Sequence, residues 1–329
     1  MTLVLNAHDV DQAIKMPALI ASIEDGLRED ARGRANVPQR LNVTTDSGWL
    51  RVMPAVLNES GIMGFKAFQI MGGLGARYLI ALYDVKDGVL LALMDASYLT
   101  AARTGATTGI GTKLLSREDS RKVGLIGSGL EARTNLEAIC TVRDIQLVRV
   151  FSTTPEKREA FAREMAAKLE TEIVPVATPQ EAVAEADIVM VATNTGGRPD
   201  PVAFHGEWLQ AGQHVSSMGS TMPRQRELDP ETFARAERIL VDSKAQVEEE
   251  SGDVHEAMKA GVYDSDRVYE LKQALVGEAP LRSSAGQITL FKSVGNAIQD
   301  LASGLAVYRE AQRLSLGQDI GDFMDLKTV

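Results

Sequence analysis

Cysteine is nearly absent from this chain. The single residue, Cys140, cannot close an intramolecular disulfide, and its place in the apolar pattern Leu136, Ile139, Cys140 marks it as core rather than as a reactive thiol. Histidine is also scarce: His8, His205, His214 and His255 show no metal-ligand spacing, so no metal site is expected. Positive charge is in deficit, with 35 basic against 45 acidic residues and a net charge of −10, the wrong sign for a phosphate backbone. Nucleic acid is therefore not an expected partner. Long apolar runs are missing too; residues 78–83 and 89–94 stop far short of the roughly 18 residues that span a bilayer, and no membrane association is expected. Asp9, Asp11 and Lys15 interrupt anything resembling a secretory leader, which points to the cytoplasm. There is no internal repeat and no low-complexity tract.

What is present is ordinary globular composition, 44% apolar and 24% charged, in 329 residues, enough for about two domains. Residues 10–31 carry Ala13, Ile14, Met16, Leu19, Ile20, Ile23 and Leu27 at helical spacing and predict one amphipathic helix. Residues 38–94 change to short runs punctuated by Asp46-Ser47-Gly48, Gly72-Gly73 and Lys86-Asp87-Gly88, the pattern of an antiparallel meander. A helix over 97–115 follows, and its small residues Ala101, Ala102, Gly105, Ala106 and Gly109 predict a close neighbour. After the charged stretch 116–122 the pattern becomes strand, helix, strand. Strands are expected at 123–126, 145–151, 172–176, 188–192, 214–218 and 238–241, with helices at 131–140 and 155–169, favouring a parallel sheet covered on both faces. Residues 288–311 read as one apolar helical stripe that returns to the first domain.

Between the strand at 123–126 and the helix after it lies Gly127-Ser128-Gly129-Leu130-Glu131-Ala132, a G-x-G-x-x-A turn. Gly127 makes the tight turn, Gly129 admits a pyrophosphate close to the backbone, and Ala132 lets the helix pack on the strand, with the anion on the helix N-terminus. A dinucleotide site is the expectation. An acidic side chain at the tip of the second strand would accept the ribose hydroxyls of NAD, but the chain offers Ser152, Thr153 and Thr154, followed by Lys157 and Arg158. Hydroxyls and cations tolerate a 2′-phosphate, so NADP(H) is favoured and NAD(H) remains possible. The same hydroxyls could simply cap the helix that begins at Pro155. Thr193 and Asn194, and Met218, Gly219 and Ser220, end two further strands and are candidate cofactor contacts, although polar strand ends are often only turn formers.

Several separated segments resemble one family, the ornithine cyclodeaminase and mu-crystallin family. They are Gly64-Phe65-Lys66; Leu93-Met94-Asp95 with Thr100 through Ala106; the Gly127 loop; Gly219-Ser220 through Arg226-Glu227-Leu228-Asp229; and 288–295, containing Lys292, Ser293 and Val294. The resemblance covers nearly the whole chain in order. It implies an α/β fold in which a Rossmann-type domain with a parallel sheet, 119–299, is inserted into a discontinuous α+β domain, 1–118 with 300–329, that binds substrate and forms a homodimer. It also implies that Arg40, Lys66 and Arg103 hold the carboxylate of a small amino or imino acid, with Arg103 near the cofactor and Lys292, Ser293 and Val294 on the cofactor side. Two or three cations provide both affinity and orientation for so small an acid. A lysine among Phe65, Ala67 and Phe68 is expected to be buried, and a buried lysine needs a partner.

The chain departs from a cyclodeaminase in one place. An acid/base carboxylate is expected just after the strand-end glycine, and Ser220-Thr221-Met222-Pro223 stands there instead. A threonine hydroxyl is a poor base near neutral pH, so ornithine cyclisation is disfavoured. The expected activity is that of an oxidoreductase on CH–NH or CH–NH2 groups in amino acid metabolism. It is an NAD(P)H-dependent reductase of a cyclic ketimine or a 2-oxo-acid-derived imine, reversible with amino acid oxidation, in which Lys66 or a water handles the proton. The alternatives are an NAD-dependent alanine-type dehydrogenase, a cyclodeaminase, or a mu-crystallin-like binder of NADPH and a small ligand.

Overall fold

The computed structural model describes residues 2–195 and 201–327 and divides the chain into two compact units, Met1–Arg103 with Asn296–Val329, and Thr104–Gly295. The division lies at 103/104 and 295/296 rather than at the expected 118/119 and 299/300. The first displacement has a local cause inside helix Ser97–Leu115. A Cβ on Gly105 would lie 2.3 Å from the carbonyl oxygen of Thr134, and one on Gly111 would lie 2.6 Å from the Phe291 ring. The small residues of this helix thus meet neighbours belonging to the second unit, which claims the helix from Thr104 onward.

In the first unit the sheet runs Gln318–Asp319, Leu3–Leu5, Leu90–Asp95, Gly75–Asp84, Ile62–Met71, Gly48–Leu57, Ala35–Asn36, with Leu41–Thr45 also on Gly48–Leu57. It is antiparallel except where Leu3–Leu5 pairs with Leu90–Asp95. Alternation sends Met53, Ala55 and Leu57, and across the strands Ile80 and Leu82, into the core. Helix Ala297–Leu314 lies on that face, where a Cβ on Gly304 would contact Ile80 and Leu82 at 3.3–3.4 Å. It also crosses helix Met16–Ala31 closely, since a Cβ on Gly26 would stand 3.0 Å from Ile298, and Ser22 Oγ donates to the Ala302 carbonyl at 2.7 Å. The single helix expected over 10–31 is two, Ala7–Ala13 and Met16–Ala31. Asn6 and Asp9 form a capping box on the first, and Ile14 and Lys15 turn extended before Pro17 opens the second.

The second unit is a Rossmann-type domain. Among the described residues its eight strands are all parallel, in the order Glu172–Pro175, Leu147–Phe151, Lys122–Ile126, Ile188–Val191, His214–Ser217, Thr289–Lys292, Arg238–Val241, Val268–Glu270. The three strands Ile188–Val191, His214–Ser217 and Thr289–Lys292 are buried throughout, as helices on both faces require. The strand at Thr289–Lys292 corrects the expected helical stripe over 288–311. A four-residue run buried on both sides has no periodicity to separate it from a helix, and the helix begins only at Ala297, after Gly295 (φ +81°) and with Asn296 as its cap. From Lys122–Ile126 the chain builds outward through 147 and 172, then returns to Ile188–Val191 on the other side. That reversal creates a crevice at the carboxyl ends of these strands.

Candidate functional site

The second unit contains a crevice of about 540 Å³ at that switch point, and Gly127, Ser128, Ser152, Thr153, Thr154, Thr193 and Asn194 line it. Gly127 is obligatory, with φ +121° and a position where a Cβ would stand 2.1 Å from the Ala192 carbonyl oxygen. Gly129 has open space on its Cβ side and is the N-cap of helix Leu130–Val142, with no side chain capping that end. Open space beside uncapped N–H groups suits a pyrophosphate. Ala132 is fully buried, as helix-on-strand packing demands, while Leu130 and Glu131 begin the helix outside the crevice lining.

At the second-strand tip Ser128 Oγ donates to Ser152 Oγ at 3.0 Å, which joins the glycine turn to the recognition segment. Arg158 turns its guanidinium back onto the Ser152 carbonyl, 2.9 Å away, and Lys157 lines the crevice wall. No Asp or Glu lines the crevice among the described residues. Gln180, His205 and Trp208 also line it and carry no motif by which sequence reading could have found them. Met218, Gly219 and Ser220 follow the buried strand end without lining the crevice. Lys292, Ser293 and Val294 are not brought to the crevice either. Lys292 Nζ lies 3.0 Å from Ser217 Oγ and 3.2 Å from Asp253 Oδ2, while Ser293 and Val294 bond to Asp242.

The first unit holds a second constellation. Strand register places Lys66 directly opposite Met53 on one side and Ile80 on the other, so all three point into the core under helix Ala297–Leu314. There Lys66 Nζ donates to Asp300 Oδ1 at 2.8 Å. Arg103 Nε stands 2.9 Å from the same oxygen, and its Nη1 donates to Gln299 Oε1 at 2.8 Å. Lys66 is 1%, Asp300 0%, Arg103 7% and Arg40 8% exposed, which leaves a nearly dry cluster of three cations and one carboxylate. Burial pushes the Lys66 ammonium down to about 7, Arg103 and Arg40 adding repulsion while Asp300 opposes the fall. Asp300 and Gln299 are the functional candidates that sequence reading missed; the one available signal was an acidic residue on the buried side of an apolar helix.

Elsewhere the thiol of Cys140 is pushed up to about 12 by burial and is unreactive at neutral pH. Thr221, where an acid was expected for cyclisation, keeps its hydroxyl 3.2 Å from Gln225 Oε1.

A switch-point crevice with a glycine turn, on a sheet whose sequence interrupts that of the first unit, together with a buried near-neutral lysine in that first unit, is the equipment of a nicotinamide-dinucleotide-dependent oxidoreductase. The protein is an enzyme of that class. It belongs to the ornithine cyclodeaminase/mu-crystallin family, whose profile matches residues 1–314. A Bacillus cereus delta(1)-pyrroline-2-carboxylate reductase is 32% identical, covering 97% of this chain and 99% of its own. The structure of Thermococcus litoralis delta(1)-pyrroline-2-carboxylate reductase in complex with NADH and L-proline superposes with a TM-score of 0.90 at 36% identity, over 97% of this chain and 100% of that one. An archaeal alanine dehydrogenase dimer with bound NAD gives a TM-score of 0.85 at 31% identity, over 98% and 99%.

Proposed function

We propose that this enzyme reduces pyrroline-2-carboxylate, a small cyclic imino acid, to proline with a reduced nicotinamide dinucleotide. The observation that carries the reading is Lys66, an ammonium held near neutrality inside a cation cluster. The dinucleotide, when bound, supplies hydride to the imine carbon. As the C=N electron pair moves to nitrogen, Lys66 Nζ gives that nitrogen its proton, and Asp300 keeps Lys66 charged until it does. Arg40 and Arg103 hold the carboxylate, which selects acids over simple imines. Dry surroundings strengthen each of these contacts. Imine reduction fits this equipment better than cyclisation, because Thr221 offers no carboxylate base.

On the cofactor side, Gly127, Ser128 and Gly129 cradle the pyrophosphate, and Ser152, Thr153, Thr154 and Lys157 favour NADPH over NADH by accepting a 2′-phosphate where no carboxylate opposes it. NADH also serves. A cytoplasmic location fits a reaction that draws on reduced nicotinamide. A second copy of the chain covers strand Leu41–Thr45, whose residues are all exposed, Leu41 by 60% and Val43 by 48%.

Dinucleotide oxidation followed with pyrroline-2-carboxylate, piperideine-2-carboxylate, and pyruvate plus ammonia or amines tests the reading. The pyrroline substrate should be used best. Turnover confined to pyruvate with ammonia would make the enzyme an alanine-type dehydrogenase, and tight dinucleotide binding with no oxidation of it by any imine would make it a binding protein.

A further inference from the structure

The segment Arg226-Glu227-Leu228-Asp229 has no part in the site as described, yet Glu227 is fully buried and its carboxylate is saturated in an ordered way. Oε1 accepts the backbone N–H of Thr193 at 2.5 Å and the Thr193 hydroxyl at 2.8 Å. Oε2 accepts the backbone N–H of Gly219 at 2.6 Å and the Ser217 hydroxyl at 2.7 Å. One side chain thus ties together the loops leaving two adjacent strands, Ile188–Val191 and His214–Ser217. Gly219 must be glycine for this to happen, because a Cβ there would stand 2.4 Å from Glu227 Oε1 and 2.4 Å from the Thr193 carbonyl oxygen. Behind the carboxylate, Asp253 Oδ1 accepts the N–H groups of Glu227 and Leu228 at 2.7 and 3.0 Å, and Lys292 bridges Asp253 and Ser217.

In a sheet of this kind the dinucleotide spans the switch point, its adenosine half at the second-strand tip and its pyrophosphate on the glycine turn. The remaining half falls over the carboxyl ends of Ile188–Val191 and His214–Ser217, the two loops that Glu227 joins, and Thr193 lines the crevice there. We propose that Glu227 is a positioning residue for the nicotinamide half of the cofactor. It acts through the backbone of Thr193 and Gly219 and touches neither cofactor nor substrate. The assignment rests on the dinucleotide-dependent reading above.

A carboxylate is the one side chain of this length that offers only acceptors to four donors. In Glu227→Gln the amide NH2 must face the backbone N–H of Thr193 or of Gly219, which cannot accept, even where the neighbouring hydroxyl turns to accept from it, so one loop moves. The test compares that variant with wild type for binding of whichever of NADPH and NADH binds more tightly, and of the matching ADP-ribose, which lacks nicotinamide. The dinucleotide should bind about tenfold more weakly to the variant while ADP-ribose binding changes less than about twofold, and kcat for imine reduction should fall along with dinucleotide affinity. Equal weakening of both ligands, or of neither, overturns the proposal. Wild type that binds neither ligand overturns the dinucleotide reading itself. Ser217→Ala removes one donor to Glu227 from a residue outside the crevice lining; it should shift dinucleotide affinity in the same direction by less, and it supplies the comparison if Glu227→Gln does not fold.

Discussion

Replacing Asp300 with Asn should move the proton that catalysis needs. Lys66 Nζ and Asp300 Oδ1 are 2.8 Å apart in a site that is 1% and 0% exposed. At an effective dielectric of about 20, two unit charges at that separation attract by about 6 kcal/mol, which is a ceiling. The asparagine oxygen still accepts the lysine hydrogen bond, so the expected loss is the charge alone, about 1–3 pH units on the lysine. Burial, Arg103 and Arg40 would then act without opposition, and the Lys66 ammonium would fall from about 7 to well below neutrality. Because Lys66 donates the proton in the reductive direction, the active form is the charged one and activity declines as pH rises through its pKa. The pH dependence of kcat/KM, which reports groups of the free enzyme, is the assay. Wild type should lose activity above about pH 7. The variant should lose it two units lower, so that at pH 7 its kcat/KM is down about fiftyfold and recovers on acidification. Lys66→Met should abolish that limb altogether. A limb that stays near 7 in Asp300→Asn, even with a lowered melting temperature, would reduce Asp300 to a structural partner and refute the assignment of Lys66 as proton donor.

Arg103→Lys keeps the charge but loses the planar fork that meets Gln299 and Asp300; kcat/KM for the imino acid should fall about 10- to 100-fold with little change in thermal stability, and an amide analogue of the substrate should be nearly indifferent to the change. Ser152→Asp places a carboxylate beside Ser128 at the second-strand tip and should weaken NADPH by about 1–3 kcal/mol relative to NADH, measured as the ratio of the two kcat/KM values; an unchanged ratio removes this tip from cofactor choice. His214 is fully buried between Thr289 and Ser216 and is pushed down to about 3, chiefly by burial. Its folded pKa lies below its unfolded one, so the unfolded chain takes up the proton first, and stability present above about pH 6.5 is lost as pH falls toward 3, by up to about 4–5 kcal/mol. Denaturant unfolding of wild type and His214→Gln across that range should show the dependence shrink in the variant.

The glycine turn, its flanking strand and helix, and the acid-free tip at Ser152 were all legible from sequence, because each is a property of consecutive residues. Gly127 needs positive φ wherever a strand must turn into a helix this tightly, and Gly105 reports a close neighbour whatever that neighbour is. The strand at Thr289–Lys292 was hidden because complete burial erases alternation. Chemistry that depends on pairing at a distance needed the folded chain. Lys66 was a plausible site residue by resemblance, but that its amine points inward follows from its register against Met53 and Ile80, and a slip of one residue would have sent it to the other face. Its partner is 234 positions away on a helix whose apolar stripe gave no reason to single out Asp300. Glu227 likewise reads as one more charged residue before a helix until the Thr193 and Gly219 amides are seen to converge on it. Local backbone geometry is encoded by neighbours along the chain, whereas the desolvation that turns a lysine into a neutral-pH acid is created only when distant segments close over it.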